Sequence, residues 1–143
     1  DYWRYIEEAM TMVVHRPFSD TFRDYGTAFE AIAMADRKMP YKMAGKSGSA
    51  QVVGISQSVL KSDDIVVSDL NKDHGLFISF APAQNSEIAP QIAIAVIVEN
   101  GEHGSSVAGP VAKEIIDEYL LNILQIDFAS HPNADNLISQ VDD

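Results

Sequence analysis

The chain has 143 residues, 46% hydrophobic and 22% charged, with 21 acidic side chains against 10 basic and no cysteine. That length accommodates one domain with a sizeable core, and the lack of cysteine excludes disulfides, a thiol nucleophile and thiolate metal sites. A formal charge of −11 argues against nucleic acid as a partner, because phosphate neutralisation needs clustered Lys and Arg.

Trp3, Ile6, Met10 and Val13 recur at helical spacing with Glu7 and Glu8 on the other side, which predicts an amphipathic helix ended by Pro17. The alanine content of Thr27 to Asp36 predicts a second, short helix. Tyr41 to Val53 reads as a strand, with Met43, Val52 and Val53 flanking a centre of small residues. Ile55 to His74 is polar and acidic, without a period, and reads as a long connection. Leu76 to Phe80 is rich in β-formers and stops at Pro82. Gln91 to Glu99 contains the longest apolar run, Ile92 to Val98, which is too short to span a bilayer as a helix and predicts a strand covered on both faces. No signal-type segment opens the chain.

The short link around Asn85-Ser86 favours antiparallel pairing of these last two strands. Gly101, Gly104 and Gly109 predict a loop, with Pro110 at the first position of a helix whose apolar stripe is Ala112, Ile115, Ile116, Tyr119, Leu120 and Ile123. The pattern is lost after Gln125, so residues 1–125 form the domain and 126–143 a flexible tail. The fold class is α+β, an antiparallel sheet flanked by helices. A helix opening at residue 2, and a doubly apolar strand needing more cover than these helices supply, suggest the C-terminal part of a larger domain.

The charge is unevenly placed. Residues 1–46 carry seven acids and seven bases, so residues 47–143, with fourteen acids and three bases, hold the whole surplus. Arg37, Lys38, Lys42 and Lys46 form the densest positive stretch, a candidate docking point for a small anion. Within it lies Gly45-Lys46-Ser47-Gly48-Ser49-Ala50. A phosphate-binding P-loop would need a glycine at Pro40 and a helix afterwards, whereas Gln51-Val52-Val53 is strand-like. In a strand, Ser47 and Ser49 share one face, where their hydroxyls can bind a carboxylate. Lys46 points the other way and reaches the same cavity from beneath. Gly48 leaves room for a close approach, the strand edge can pair with an extended peptide, and the Ser49 N–H can donate to a developing oxyanion.

The segment from Tyr41 to Val52 resembles the Lys-Ser/Thr-Gly strand of class B penicillin-binding proteins, most closely the penicillin-binding protein 2 subgroup of Gram-negative bacteria. Asp73-His74 with Phe77 to Pro82 is similar to that family's next strand. Ile92 to Val98 with Glu99 to Gly104 is similar to its last strand and glycine-rich loop, and Val107 to Ala112 to its terminal helix. The resemblance runs from about Trp3 to Leu121.

It implies a penicillin-binding/serine β-lactamase-like fold and a serine-type D,D-transpeptidase that cross-links peptidoglycan stem peptides in cell elongation and is acylated by β-lactams. Lys46 and Ser49 are the catalytic residues so implied, with Ser47, Gly48 and Ser49 binding substrate. No cofactor or metal is implied. The implied partners are the D-Ala-D-Ala stem peptide, β-lactams, the N-terminal remainder of the transpeptidase domain and cell-elongation membrane proteins, at the periplasmic face of the inner membrane.

The family's nucleophile motif and Ser-x-Asn element should precede Lys46, and neither does. Ser58-Val59-Leu60-Lys61 follows the strand in a polar stretch, where a lysine stays protonated, and Ser62-Asp63-Asp64 is no better as the second element. The chain alone is therefore expected to be inactive. A β-lactam sensor or noncatalytic scaffold of the same fold is the alternative, and a serine β-lactamase fits the flanking segments less well. His15, His74, His103 and His131 show no metal-ligand spacing; His74, near the predicted strand, is the one closest to the motif.

Overall fold

The computed structural model describes residues 2–19, 25–52, 72–85 and 87–130. Helix α1 spans Tyr2–His15, strands β1, β2 and β3 span Ala44–Ala50, His74–Ala81 and Ile92–Val98, and helix α2 spans Gly104–Asp117, continuing as a π-helical segment over Glu118–Ile123. The strands form one antiparallel sheet in the order β1-β2-β3. The expected α+β architecture and antiparallel pairing are thus present.

Register decides what each face carries. Ser47 lies opposite Phe77, which lies opposite Val96, and Ser49 lies opposite Gly75. One face therefore holds Gly45, Ser47, Ser49, Gly75, Phe77, Ser79 and the even-numbered residues of β3. Phe77 is fully buried there with Ala108, Ala112 and Ile116 of α2, and Ile92, Ile94, Val96 and Val98 pack against this core. The other face holds Lys46, Ile78 and Ile97, and Trp3 of α1 stacks on Phe80 there at 6.3 Å.

The expectation that β3 is covered on both faces is corrected. Ala93 and Ala95 are exposed, and Ile97 and Ile78 remain 63% and 51% exposed. The apolar run conceals an ordinary alternation, since two of its three outward positions are alanines.

Two further expectations change. Residues 27–35 form a run of turns in place of a helix, with Phe29 N–H bonded to Gly26, Ile32 N–H to Ala28 and Met34 N–H to Phe29, a mixture of spans. Docking on α1 overrides alanine propensity: Gly26 N–H donates to Arg16 O at 2.9 Å and Ala28 N–H to Val13 O at 3.0 Å. A Cβ on Gly26 would stand 2.3 Å from Met12 O. Helix α2, in turn, starts at Gly104, with Pro110 inside it. Gly104, Ala108 and Ala112 form its buried stripe, and small residues there let the helix lie close on the sheet.

Two polar anchors hold the chain leading into β1. The first is His15, whose Nε2 accepts the Met43 N–H at 2.9 Å. Burial, then the Lys42 charge, lower its pKa to about 4, so the ring is a neutral acceptor at neutral pH. The second joins residues 36–41 to α2. Tyr41 donates to Asp117, and Lys113 Nζ lies 2.5 Å from Asp117 Oδ2 and 2.6 Å from Asp36 Oδ2. Burial and then the Asp117 bond push the Tyr41 phenol far above its ordinary range. The Lys113 bond holds Asp36 below the usual carboxylate range. Burial opposes the charge on Lys113, but its bonds to Asp117 and Asp36 outweigh that and raise its pKa.

Past Gln125, Phe128 is still buried, its ring 5.5 Å from Tyr41. The core therefore reaches beyond the expected boundary, into the first residues of the expected tail. The connection from 55 to 71, with Ser58, Lys61 and Ser62-Asp63-Asp64, lies outside the described residues, as do residues 131–143.

Candidate active site

Beyond Gly45 the face of β1 shared with Phe77 runs clear of the core and becomes the wall of an open cleft of about 320 Å³. Thr27, Ser47, Gly48, Ser49, His103, Gly104 and Ser105 line it. The Ser47 and Thr27 hydroxyls are 3.4 Å apart, and the Ser49 hydroxyl donates to Glu102 O at 2.9 Å. On its other edge β1 pairs with no strand among the described residues, so alternate backbone groups there are open to an extended ligand.

The opposite wall is the N-terminus of α2. The first N–H groups of a helix have no acceptor within it, and the helix dipole is positive there. Only glycine fits at its first position, because a Cβ on Gly104 would come within 2.0 Å of Leu76 O and 2.6 Å of Gly48 O. Hydroxyls on one wall and the positive end of a helix on the other make a cleft suited to a carboxylate.

The structure brings Ser47, Gly48 and Ser49 together and leaves Lys46 out. Alternation places Lys46 on the other face of β1, exposed, with Nζ donating to Ser47 O at 2.5 Å. Arg37, Lys38 and Lys42 do not line the cleft either; Lys42 Nζ lies 3.4 Å from Gln84 Oε1. Positive charge dense in sequence thus does not gather at the cleft. Gly48 is not needed for packing among the described residues, since a Cβ there would meet only Leu76 Cβ, at 3.7 Å.

Sequence reasoning missed Thr27, His103, Gly104 and Ser105. The available signal was the clustering of glycines at 101 and 104, which marks close backbone approach and says nothing of a helix start. His74 sits at the start of β2 with its Nδ1 accepting the Asn100 N–H at 2.9 Å. No group of three metal-ligating side chains occurs among the described residues, and no helix among them is long and apolar enough to cross a membrane.

An antiparallel sheet backed by a helix, with a Lys-Ser-Gly strand that is outermost among the described residues, is the architecture of a penicillin-binding transpeptidase domain. Residues 1–117 match the penicillin binding protein transpeptidase domain. The chain belongs to that family. It is 48% identical over 81 residues to the peptidoglycan D,D-transpeptidase MrdA of Acinetobacter baumannii, covering 57% of this chain and 11% of that protein. It is 37% identical over 120 residues to MrdA of Escherichia coli K12, covering 84% of this chain and 16% of that protein.

Among solved structures it is similar to Pseudomonas aeruginosa PBP2 in complex with WCK 5153. The TM-score is 0.56 and the identity 39%, over 84% of this chain and 20% of that one. A PBP2 of Helicobacter pylori, solved in complex with MreC, shares the fold with a TM-score of 0.53 at 24% identity, over 84% of this chain and 17% of that one. The chain thus spans a small part of the relatives it matches.

Proposed function

We propose that these residues are the carboxylate-binding side of a serine-type peptidoglycan D,D-transpeptidase acting in cell elongation, and that the reactive serine and its Ser-x-Asn partner belong to a part of the protein outside this chain. One observation carries the reading: Ser47 and Ser49 meet the α2 N-terminus across a single cleft, beside the edge of β1 that pairs with no strand among the described residues.

The chemistry follows from that arrangement. The terminal carboxylate of a D-Ala-D-Ala peptide, or of a β-lactam, sits between the two serine hydroxyls and the helix end. The peptide lies along the β1 edge, which brings its penultimate carbonyl to the Ser49 N–H. The serine oxygen adds to that carbonyl, the C–N bond breaks, and the leaving D-Ala amine takes a proton. An acceptor amine then displaces the ester and returns the serine its proton. Lys46 holds the proton network from the far side of the strand, once Nζ turns from the Ser47 carbonyl.

The periplasmic face of the inner membrane is the site of action in this reading, and a membrane elongation protein of the MreC kind is the fitting partner. In the full-length protein, a fluorescent penicillin is expected to label one serine outside this chain, and the 143-residue chain alone is expected to take no label. Covalent label on Ser58, or no label on the full-length protein, overturns the proposal.

A further inference from the structure

The connection from β3 to α2, residues 99–103, holds two non-glycine residues in the left-handed region, Asn100 and Glu102, each with φ 58°. Such residues stay there only where their surroundings over-determine the conformation. Three interactions tie them to the residues that open β2. Asn100 N–H donates to His74 Nδ1 at 2.9 Å, Glu102 N–H donates to Asp73 O at 2.8 Å, and Lys72 Nζ lies 3.3 Å from the Glu102 carboxylate. The ion pair is half-exposed and contributes little. The loop's own bonds, Gly101 N–H to Val98 O at 3.2 Å and His103 N–H to Gly101 O at 2.7 Å, shape the turn, and the two hydrogen bonds to the start of β2 fasten it to the sheet.

From this loop the Glu102 carbonyl accepts the Ser49 hydroxyl proton at 2.9 Å. A serine side chain otherwise samples three rotamers. Held by Glu102, Ser49 Oγ has one position on the cleft wall before any ligand arrives. Turning the O–H about the Cβ–Oγ bond passes the proton from Glu102 to the ligand without moving the oxygen. We propose that His74 is a positioning residue: its Nδ1, accepting from Asn100, holds the 99–103 loop in the conformation from which Glu102 fixes the Ser49 hydroxyl. The ligand then meets a preorganised oxygen, and that lowers the cost of binding.

Two substitutions separate this role from simple packing. His74→Asn offers an amide oxygen near the place of Nδ1, whereas His74→Phe keeps a ring and removes the acceptor. Amide exchange at Asn100, followed in the full-length protein, is expected to accelerate about tenfold in His74→Phe and to stay near wild type in His74→Asn. A packing role predicts the reverse order, and equal exchange in both variants overturns the proposal.

The second readout rests on the transpeptidase reading above. Acylation by a fluorescent penicillin is resolved into its binding constant Ks and its chemical step k2. His74→Phe is expected to raise Ks about three- to tenfold with k2 little changed, and that effect is expected to vanish in a Ser49→Ala background. An effect of His74→Phe that persists in full with Ser49→Ala overturns the positioning of Ser49. Complete absence of acylation in the wild type overturns the transpeptidase reading, while the exchange measurement still decides the role of His74.

Discussion

Replacing His15 by Gln tests how the approach to the active strand is held. His15 is neutral in the fold because burial, and then Lys42, lower its pKa from 6.5 to about 4, and in that state Nε2 accepts the Met43 N–H. A group whose folded pKa is depressed binds protons more readily when unfolded. Its stabilising contribution is therefore full above the unfolded pKa and is lost as pH falls through the folded one. A tenfold difference in proton affinity between the two states is worth about 1.4 kcal/mol. The loss is accordingly about 2 kcal/mol near pH 5 and approaches about 3 kcal/mol below pH 4.

In His15→Gln the amide oxygen can accept the same N–H but does not titrate. Urea unfolding at a series of pH values between about 7.5 and 4 gives the stability of each protein. Carboxylates titrate alike in both, so the difference isolates His15. The variant is expected to lose about 2 kcal/mol less than wild type between pH 7 and pH 5. Parallel stability curves would refute the reasoning, since a ring that stays accessible to protons has no such dependence.

Three further outcomes follow from the packing. Gly48→Ala is expected to unfold within about 1 kcal/mol of wild type, because its Cβ finds ordinary space at 3.7 Å from Leu76, yet to slow acylation of the full-length protein; unchanged acylation means that no ligand approaches there. Gly104→Val is expected to destabilise by about 3 kcal/mol or more by thermal melting, since its Cβ would meet backbone carbonyls of both β1 and β2, and a melting point equal to wild type contradicts that packing. Lys113→Met removes the cation between Asp36 and Asp117 and should cost about 2 kcal/mol at neutral pH, less in acid as the carboxylates protonate, with carboxyl NMR showing Asp36 titrating at higher pH than before.

The strands were readable because local chemistry and tertiary role agree in them. Leu76 to Phe80 is β-forming, and its alternate residues do face a core. The motif was readable for the same reason: a period of two puts Ser47 with Ser49 and Lys46 opposite them, as observed. Where the two disagree, the reading failed. Gly104-Ser105-Ser106 has poor helix propensity, yet the chain turns helical there because the helix must abut the carbonyls of Gly48 and Leu76. Residues 27–35 have good propensity and form no regular helix, because docking Gly26 on α1 sets their path. Thr27 and His103 join the cleft through contacts distant in sequence, and neither residue carries a local mark of that role. The basic run from Arg37 to Lys46 misled for a related reason, since strand alternation turns Lys46 to the face away from the cleft and none of the four basic residues lines it.

The close seating of Gly104 against the two carbonyls fixes how far the cleft can open. Its width is set where main chain meets main chain, so the gap between the β1 wall and the α2 end works as a fixed gauge. Exchanging Ser47, Ser49 or Ser105 changes which atoms greet a ligand and leaves that gauge as it was. A bulkier ligand that needs a wider mouth has to part a helix from a strand, and it meets the stiffness of the whole sheet. Selectivity by size and selectivity by hydrogen bonding therefore reside in different atoms of the same cleft, and each can be altered without the other.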